Sequence, residues 1–262
     1  MRLKEINGQL CSLLRGIIKQ REIRTMETGH FADDDLLSVL LKSNHKQMQE
    51  NGSKFGMSID EVIEECKAFY FAGQESTSNL LSWAMLILSI HQTWQTRARE
   101  EVFQVFGDDA PNFDGLNRLK IVTMILYEVL RLYPPGIIFN RIIYKETKLG
   151  KFTLPPEVHL ILPVILIHHD QQLWGEDVKE FKPERFSRGV AKATNNQLSF
   201  FPFSSGPRIC IGNNFALMEA KLALAVILRR FSFELSPSYT HKPSFVVTLQ
   251  PQDGVHLMFR KI

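Results

Sequence analysis

Long apolar runs, paired cysteines and blocks of like charge are all missing from this 262-residue chain. The longest nearly unbroken apolar stretch, residues 80–90, is interrupted by Ser82 and Ser89 and has about half the length that a bilayer crossing needs. No segment is therefore expected to span a membrane. The first residues, Met1-Arg2-Leu3-Lys4-Glu5-Ile6-Asn7, lack the uninterrupted apolar core of a signal peptide. This fits a cytosolic chain or one whose address has been removed. The three cysteines, Cys11, Cys66 and Cys210, are far apart and form no Cys-x-x-Cys pair, which argues against a disulfide framework or a zinc knuckle. Any special cysteine here works alone. A formal net charge of +3, with no run of five or six residues of one sign, gives no electrostatic footprint for nucleic acid, and none is expected as a partner. With 44% hydrophobic residues and no repeat or low-complexity tract, disorder, collagen and coiled coil are excluded.

What is present is mostly helical pattern. Leu3, Ile6, Leu10, Leu13, Leu14, Ile17 and Ile18 follow helical spacing up to the region of Gly29. Asp33 is placed to cap a second short helix bearing Leu36, Leu37, Leu40 and Leu41, and residues 43–57 read as a polar loop. Ser58 and Glu61 form a capping box, and with no proline before Pro111 a single helix can run over residues 59–90, roughly 48 Å at 1.5 Å per residue. Its ends are apolar and its middle reads Gly73-Gln74-Glu75-Ser76-Thr77. Two further helices are expected over 93–106 and 119–133, the second stopped by Pro134-Pro135. Beyond Pro135, residues 137–144, 158–162 and 245–249 predict short strands, with Pro155-Pro156 and Asp253-Gly254 as turns, before a last helix over 214–230. The fold class is mainly α with small β-sheets.

The strongest chemical signal is Phe203-Ser-Ser-Gly206-Pro-Arg208-Ile-Cys210-Ile-Gly212, directly before that last helix. A lone thiolate ligand to haem iron needs a rigid loop, small residues that let a flat macrocycle approach, and a cation for the haem carboxylates. Gly206 permits the tight turn, Gly212 the close approach, and Arg208 is the cation. The positive end of the following helix favours a thiolate at Cys210. The plain alternative is a loop with a buried, inert cysteine. In the long helix, a central glycine and backward-bonding hydroxyls loosen the helical ladder and open a small groove. There a carboxylate and a hydroxyl can relay protons. The plain alternative is a kinked core helix whose polar groups satisfy themselves. Glu128-Val-Leu-Arg131 puts an acid and a base on one helix face, a pattern expected about once by chance in such a chain. His168-His169-Asp170 is a weak metal candidate, because adjacent histidines on an extended segment face opposite ways.

The Phe-x-x-Gly-x-Arg-x-Cys-x-Gly run resembles the haem-binding signature of the cytochrome P-450 monooxygenases. The resemblance implies haem b, iron protoporphyrin IX, with Cys210 as axial ligand, bound also through Arg208, Phe203, Gly206 and Gly212, with Arg141 as a second cation for the haem carboxylates. It implies that Glu128, Arg131 and Arg185, the last within Pro183-Glu184-Arg185-Phe186, form a structural triad that locks the cysteine loop. Ala72-Gly73-Gln74-Glu75-Ser76-Thr77 is similar to the family's oxygen-activation segment, with Ala72 and Gly73 against the haem and Glu75, Ser76 and Thr77 as catalytic residues. Two departures stand out: Ser76 where the family usually has threonine, and Gln92 where relatives usually place proline.

Leu-Tyr-Pro-Pro, Phe-Lys-Pro-Glu-Arg-Phe and the residues around Cys210 resemble a plant subfamily, clan 72, that includes secologanin synthases and triterpenoid oxidases. A plant source and a role in secondary metabolism follow from that resemblance. Family members are about twice this length, so residues 1–262 are expected to be the C-terminal portion of one cytochrome P-450 catalytic domain. The anchor and first half would be absent, and the fold would run incomplete from the long distal helix to the haem-binding end. Residues 68–73, 136–139 and 248–256 would remain of the substrate pocket. The implied activity inserts one atom of dioxygen into a hydrophobic, terpenoid-like molecule, with electrons from an NADPH-dependent cytochrome reductase, at the endoplasmic reticulum membrane. Lys182, Arg188 and Lys192 are candidates to meet the reductase, or form a plain solvated face. The other reading is a truncated, non-catalytic fragment or pseudogene-like product.

Overall fold

Ser58 and Glu61 start the longest helix by satisfying each other: the Ser58 N–H donates to Glu61 Oε2 at 2.7 Å and the Glu61 N–H donates to Ser58 Oγ at 3.3 Å. The computed structural model describes residues 2–29, 35–195 and 198–262. They fall into two compact units, Met1–Gly73 and Gln74–Ile262.

The first unit holds α1 (Arg2–Thr28), α2 (Leu36–Asn51), a 3-10 turn (Ser53–Phe55) and the start of α3 (Ile59–Ile90). Ile18, Leu41, Val62 and Ile63 make its core. Asp33 lies outside the described residues; the cap of α2 is Asp35, whose Oδ1 accepts from the Ser38 N–H at 2.8 Å. Residues 43–51, expected as loop, are helical. The apolar pattern ends at Leu41, but Lys46, Gln47, Met48, Gln49 and Glu50 are good helix formers, so the helix propagates until Gly52 at φ +91°.

The second unit continues α3 and adds α4 (Gln92–Phe106), α5 (Phe113–Arg118) and α6 (Lys120–Leu132). On α6, Val122, Ile125, Leu126, Val129 and Leu130 recur at helical spacing, and all are shut from water. They pack with Trp83 and Leu88 of α3, Ala98 and Val102 of α4, and Leu224 and Leu228 of α10 (Asn213–Arg230). Leu119, at the start of α6, offers no side-chain cap. Instead the carboxylate of Glu101, on α4, accepts the N–H groups of Lys120, Ile121 and Val122 at 2.7, 2.7 and 3.0 Å.

Between α6 and α10 the chain forms β1 (Phe139–Ile142), β2 (Thr147–Leu149), β3 (Phe152–Leu154), β4 (His159–Leu162) and the short helices α7 (Val164–His168), α8 (Gln171–Trp174) and α9 (Val190–Ala193). After α10 come β5 (Phe231–Leu235), β6 (Pro243–Phe245), β7 (Leu249–Pro251) and β8 (Leu257–Lys261). The strands pair antiparallel as β1–β4, β2–β3, β5–β8 and β6–β7. This is the expected mainly helical class with small sheets. Residues 245–249 are not one strand: Phe245 pairs with Leu249, so Val246, Val247 and Thr248 turn the chain, and the Leu249 N–H is drawn to Pro135 O at 2.9 Å.

Candidate functional site

The cysteine loop is closed by backbone bonds. Gly206 takes φ +72° and opens a 3-10 turn (Gly206–Arg208), after which the Ile209 N–H reaches Gly206 O and the Cys210 N–H reaches Phe203 O at 2.8 Å. Ser204, also left-handed at φ +65°, accepts Arg141 Nη2 on its Oγ at 2.6 Å. Thus Arg141 on β1 braces the loop, and Arg208 stands exposed within it. Gly212 directly precedes α10, and a Cβ built there would lie 3.9 Å from Cys210 Sγ. The thiol is free and exposed, unlike that of a buried, inert cysteine. Around it Ile211 and Phe215 also present bare apolar side chains. Beside the loop is an open cavity of about 350 Å³ lined by Arg141, Leu162, Ile167, Phe201 and Gly206 among others.

Glu128 and Arg131 meet behind this loop, both wholly buried. Arg131 Nε and Nη2 bind the two carboxylate oxygens at 2.8 and 2.7 Å. The remaining donors go to the carbonyls of His168, Val178 and Glu180 at 3.0, 2.7 and 3.2 Å, so all five guanidinium N–H groups are used. Arg185 Nε adds a longer bond to Glu128 Oε1 at 3.4 Å and pairs with Asp177 at 2.7 Å. Lys182 also pairs with Asp177, and bonds from Lys182 and then Arg185 hold the Asp177 carboxyl at about 2. A buried pair offsets its desolvation only when its other polar groups are also bonded; here all five Arg131 donors are used and Glu128 Oε1 also accepts the Lys182 N–H at 3.0 Å.

On α3, Gly73 to Thr77 lie within the helix Ile59–Ile90. Backward-bonding hydroxyls follow directly: Ser78 Oγ donates to Glu75 O and Ser82 Oγ to Ser78 O. Ala72 and Gly73 are exposed, Ser76 is half-buried, and Thr77 is buried with no partner for its hydroxyl among the described residues. Glu75 Oε1 accepts from Thr248 Oγ1 at 3.0 Å and from Asn79 Nδ2 at 3.2 Å, and Asn79 Nδ2 also donates to Thr248 Oγ1 at 2.8 Å.

His168 and His169 do not lie on an extended segment; His168 ends α7 and His169 follows it. His169 donates to Leu132 O, and the His168 ring accepts the Phe201 N–H at 3.1 Å. Sequence reasoning passed over Asn79, whose spacing of four from Glu75 is a readable signal. It also passed over the His168 ring as a loop partner, for which no local signal exists.

The structure gathers Phe203, Gly206, Arg208, Cys210, Gly212 and Arg141 into one loop site, and Glu128, Arg131 and Arg185 into one cluster. Glu75, Ser76 and Thr77 sit on a separate element, α3. The family model for cytochrome P-450 matches residues 1–258. The chain belongs to the cytochrome P-450 family. It is 57% identical over its whole length to cytochrome P-450 CYP72A219 of Panax ginseng, covering 51% of that protein. To the 11-oxo-beta-amyrin 30-oxidases of Glycyrrhiza uralensis and Medicago truncatula it is 55% identical, again over its whole length and half of theirs. The chain thus spans about half the length of the curated relatives it matches.

Cytochrome P-450 proteins carry haem on a cysteine thiolate. Among the described residues no three His, Cys, Asp or Glu side chains are grouped so that they could hold a metal ion. The donor set fits haem: a single exposed sulfur stands on a loop that carries Arg208 and is bonded at Ser204 by Arg141, which suits a group that needs one thiolate and cations for its carboxylates. No helix among the described residues is long and apolar enough to cross a membrane.

Proposed function

We propose that these residues are the C-terminal portion of a haem-thiolate monooxygenase that inserts one atom of dioxygen into a C–H bond of a hydrophobic, terpenoid-like molecule and reduces the other atom to water. When bound, haem supplies the electron-transfer and oxygen chemistry. The chain's own residues do the rest. Cys210 would hold the iron, with Arg208 and Arg141 neutralising the haem carboxylates and Phe203, Gly206 and Gly212 shaping the loop. Glu128, Arg131 and Arg185 fix the backbone behind it. On α3, Ala72 and Gly73 give close approach while Glu75, Ser76 and Thr77 move protons toward dioxygen. Ser76 keeps the hydroxyl of threonine without the methyl that restricts its rotamer.

One observation carries this reading: the exposed Cys210 thiol on a loop closed by its own N–H to Phe203 O and braced by Arg141. Residues 136–139 and 248–256 are proposed to contribute to the substrate pocket. The names of two relatives, oxidases of a triterpenoid, support the substrate class. Electrons would come from an NADPH-dependent reductase docking on the cysteine side, where Arg188 and Lys192 are exposed and Lys182 is engaged by Asp177. The endoplasmic reticulum membrane is the proposed location, by family. The test is the ferrous–CO spectrum of the full-length protein. A red-shifted thiolate band is expected in the wild type and none in Cys210→Ala; a Cys210→Ala protein that keeps the band refutes the assignment.

A further inference from the structure

His168 touches both halves of the machinery behind Cys210. Its backbone carbonyl accepts Arg131 Nη1 at 3.0 Å, and its ring Nε2 accepts the Phe201 N–H at 3.1 Å. Arg131 is the partner of Glu128, and Phe201 opens the cysteine loop. The ring is fully buried, stacked on Phe200 with centroids 5.3 Å apart and flanked edge-on by Trp174 and Phe201. We infer that His168 is a positioning residue for the metal-binding cysteine, coupling the Glu128–Arg131 pair to the cysteine loop through a single side-chain acceptor.

Three observations carry this. First, the loop has few other anchors at its start: Pro202 has no N–H, and Phe201 O is taken by the Ser204 N–H at 3.0 Å. The Phe201 N–H therefore depends on His168 as its acceptor. Two residues on, Phe203 O receives the Cys210 N–H, so a shift at Phe201 passes directly to the residue that fixes Cys210. Second, the ring stays neutral. Burial chiefly, and then the charge of Arg131, push His168 down to about 3, so Nε2 keeps its lone pair through the neutral range. Third, Nε2 as acceptor puts the proton on Nδ1, which makes no well-formed hydrogen bond among the described residues and lies toward the backbone of Leu130 and Arg131 on α6, so the ring stands between that helix and the loop. Among the described residues the ring's one well-formed hydrogen bond is the one to the loop.

The inference rests on Cys210 being the haem ligand, and its test separates the two. In the haem-loaded full-length protein, His168→Phe keeps an aromatic ring against Phe200 but leaves the Phe201 N–H unpaired. The ratio of the non-thiolate to the thiolate ferrous–CO band is expected to rise about tenfold, since an orphaned buried donor costs about what a factor of ten in an equilibrium represents. His168→Gln, whose side-chain oxygen can accept the same N–H, should restore much of the thiolate band, which a purely space-filling role would not explain. A wild-type band ratio in His168→Phe overturns the inference while Cys210→Ala still loses the band. Retention of the band in Cys210→Ala overturns the ligand assignment beneath it. Hydrogen exchange at the Phe201 amide of the unaltered protein reads the bond without any substitution: protection like that of the α6 core supports it, and exchange at the rate of an exposed loop overturns it.

Discussion

Thr248 donates its hydroxyl to the carboxylate of Glu75 at 3.0 Å, although 173 residues separate them. The turn between β6 and β7 thereby holds the acidic group of α3 in one orientation, with Asn79 bonding both partners.

Replacing Thr248 by valine keeps the shape and removes the donor. In the full-length enzyme Thr248→Val should leave haem content unchanged and lower product formed per NADPH consumed, by roughly two- to tenfold given the net worth of one hydrogen bond. Unchanged coupling would mean that the orientation of Glu75 does not matter to proton delivery.

Ser76 is tested in the opposite direction. Ser76→Ala should still bind haem and substrate but divert reducing equivalents to hydrogen peroxide, while Ser76→Thr should tighten coupling because a branched Cβ narrows the rotamer choice. Peroxide yield per NADPH, measured for all three side chains, checks this; equal yields remove Ser76 from the relay.

Glu128→Gln leaves Arg131 as an uncompensated buried cation. Stability of the full-length protein should fall by about 3–5 kcal/mol in denaturant unfolding. Arg131→Lys should be nearly as damaging, since an ammonium has three donors where five acceptors are fixed around Arg131.

Asp177 gives a pH signature. Its carboxyl is held at about 2 against an ordinary 3.8, so its stabilising contribution is complete above the ordinary value and is lost as pH falls through about 2. The wild type should therefore be more stable than Asp177→Asn at pH 5, by on the order of 1 kcal/mol or less because the groups are partly exposed, and the gap should close on acidification. Thermal melts of both proteins across that range read the difference; a gap that widens toward acid contradicts the bonding to Lys182 and Arg185.

Residues 1–262 expressed by themselves should self-associate. Leu3 and Leu13 on α1 are 83% and 68% exposed, and Ile211 and Phe215 beside the cysteine are 80% and 74% exposed. Light scattering should find aggregates, and the first half of the Panax ginseng relative, supplied in one chain, should suppress them.

How much of this could be read in advance depends on sequence distance. The cap of α3 was legible because Ser58 and Glu61 are three residues apart, and the stop of α6 because Pro134 and Pro135 follow it. The cysteine loop was legible because its glycines, arginine and cysteine fall within ten residues. The end of α2 was not, since a polar helix face has no apolar period to follow. Bonds such as Glu75 to Thr248 or His168 to Phe201 leave no trace in local pattern, because the fold alone brings those residues together.

Glu101 makes one helix depend on another. The helix carrying Glu128 and Arg131 begins without a local cap, and its first three N–H groups end on a carboxylate from the helix before last. Its first turn is thus completed by a tertiary contact with α4. In energetic terms α4 and the first turn of α6 are coupled: a change that loosens the Glu101 carboxylate is felt by the helix that carries Glu128 and Arg131, although Glu101 touches neither residue's side chain in the bonds described.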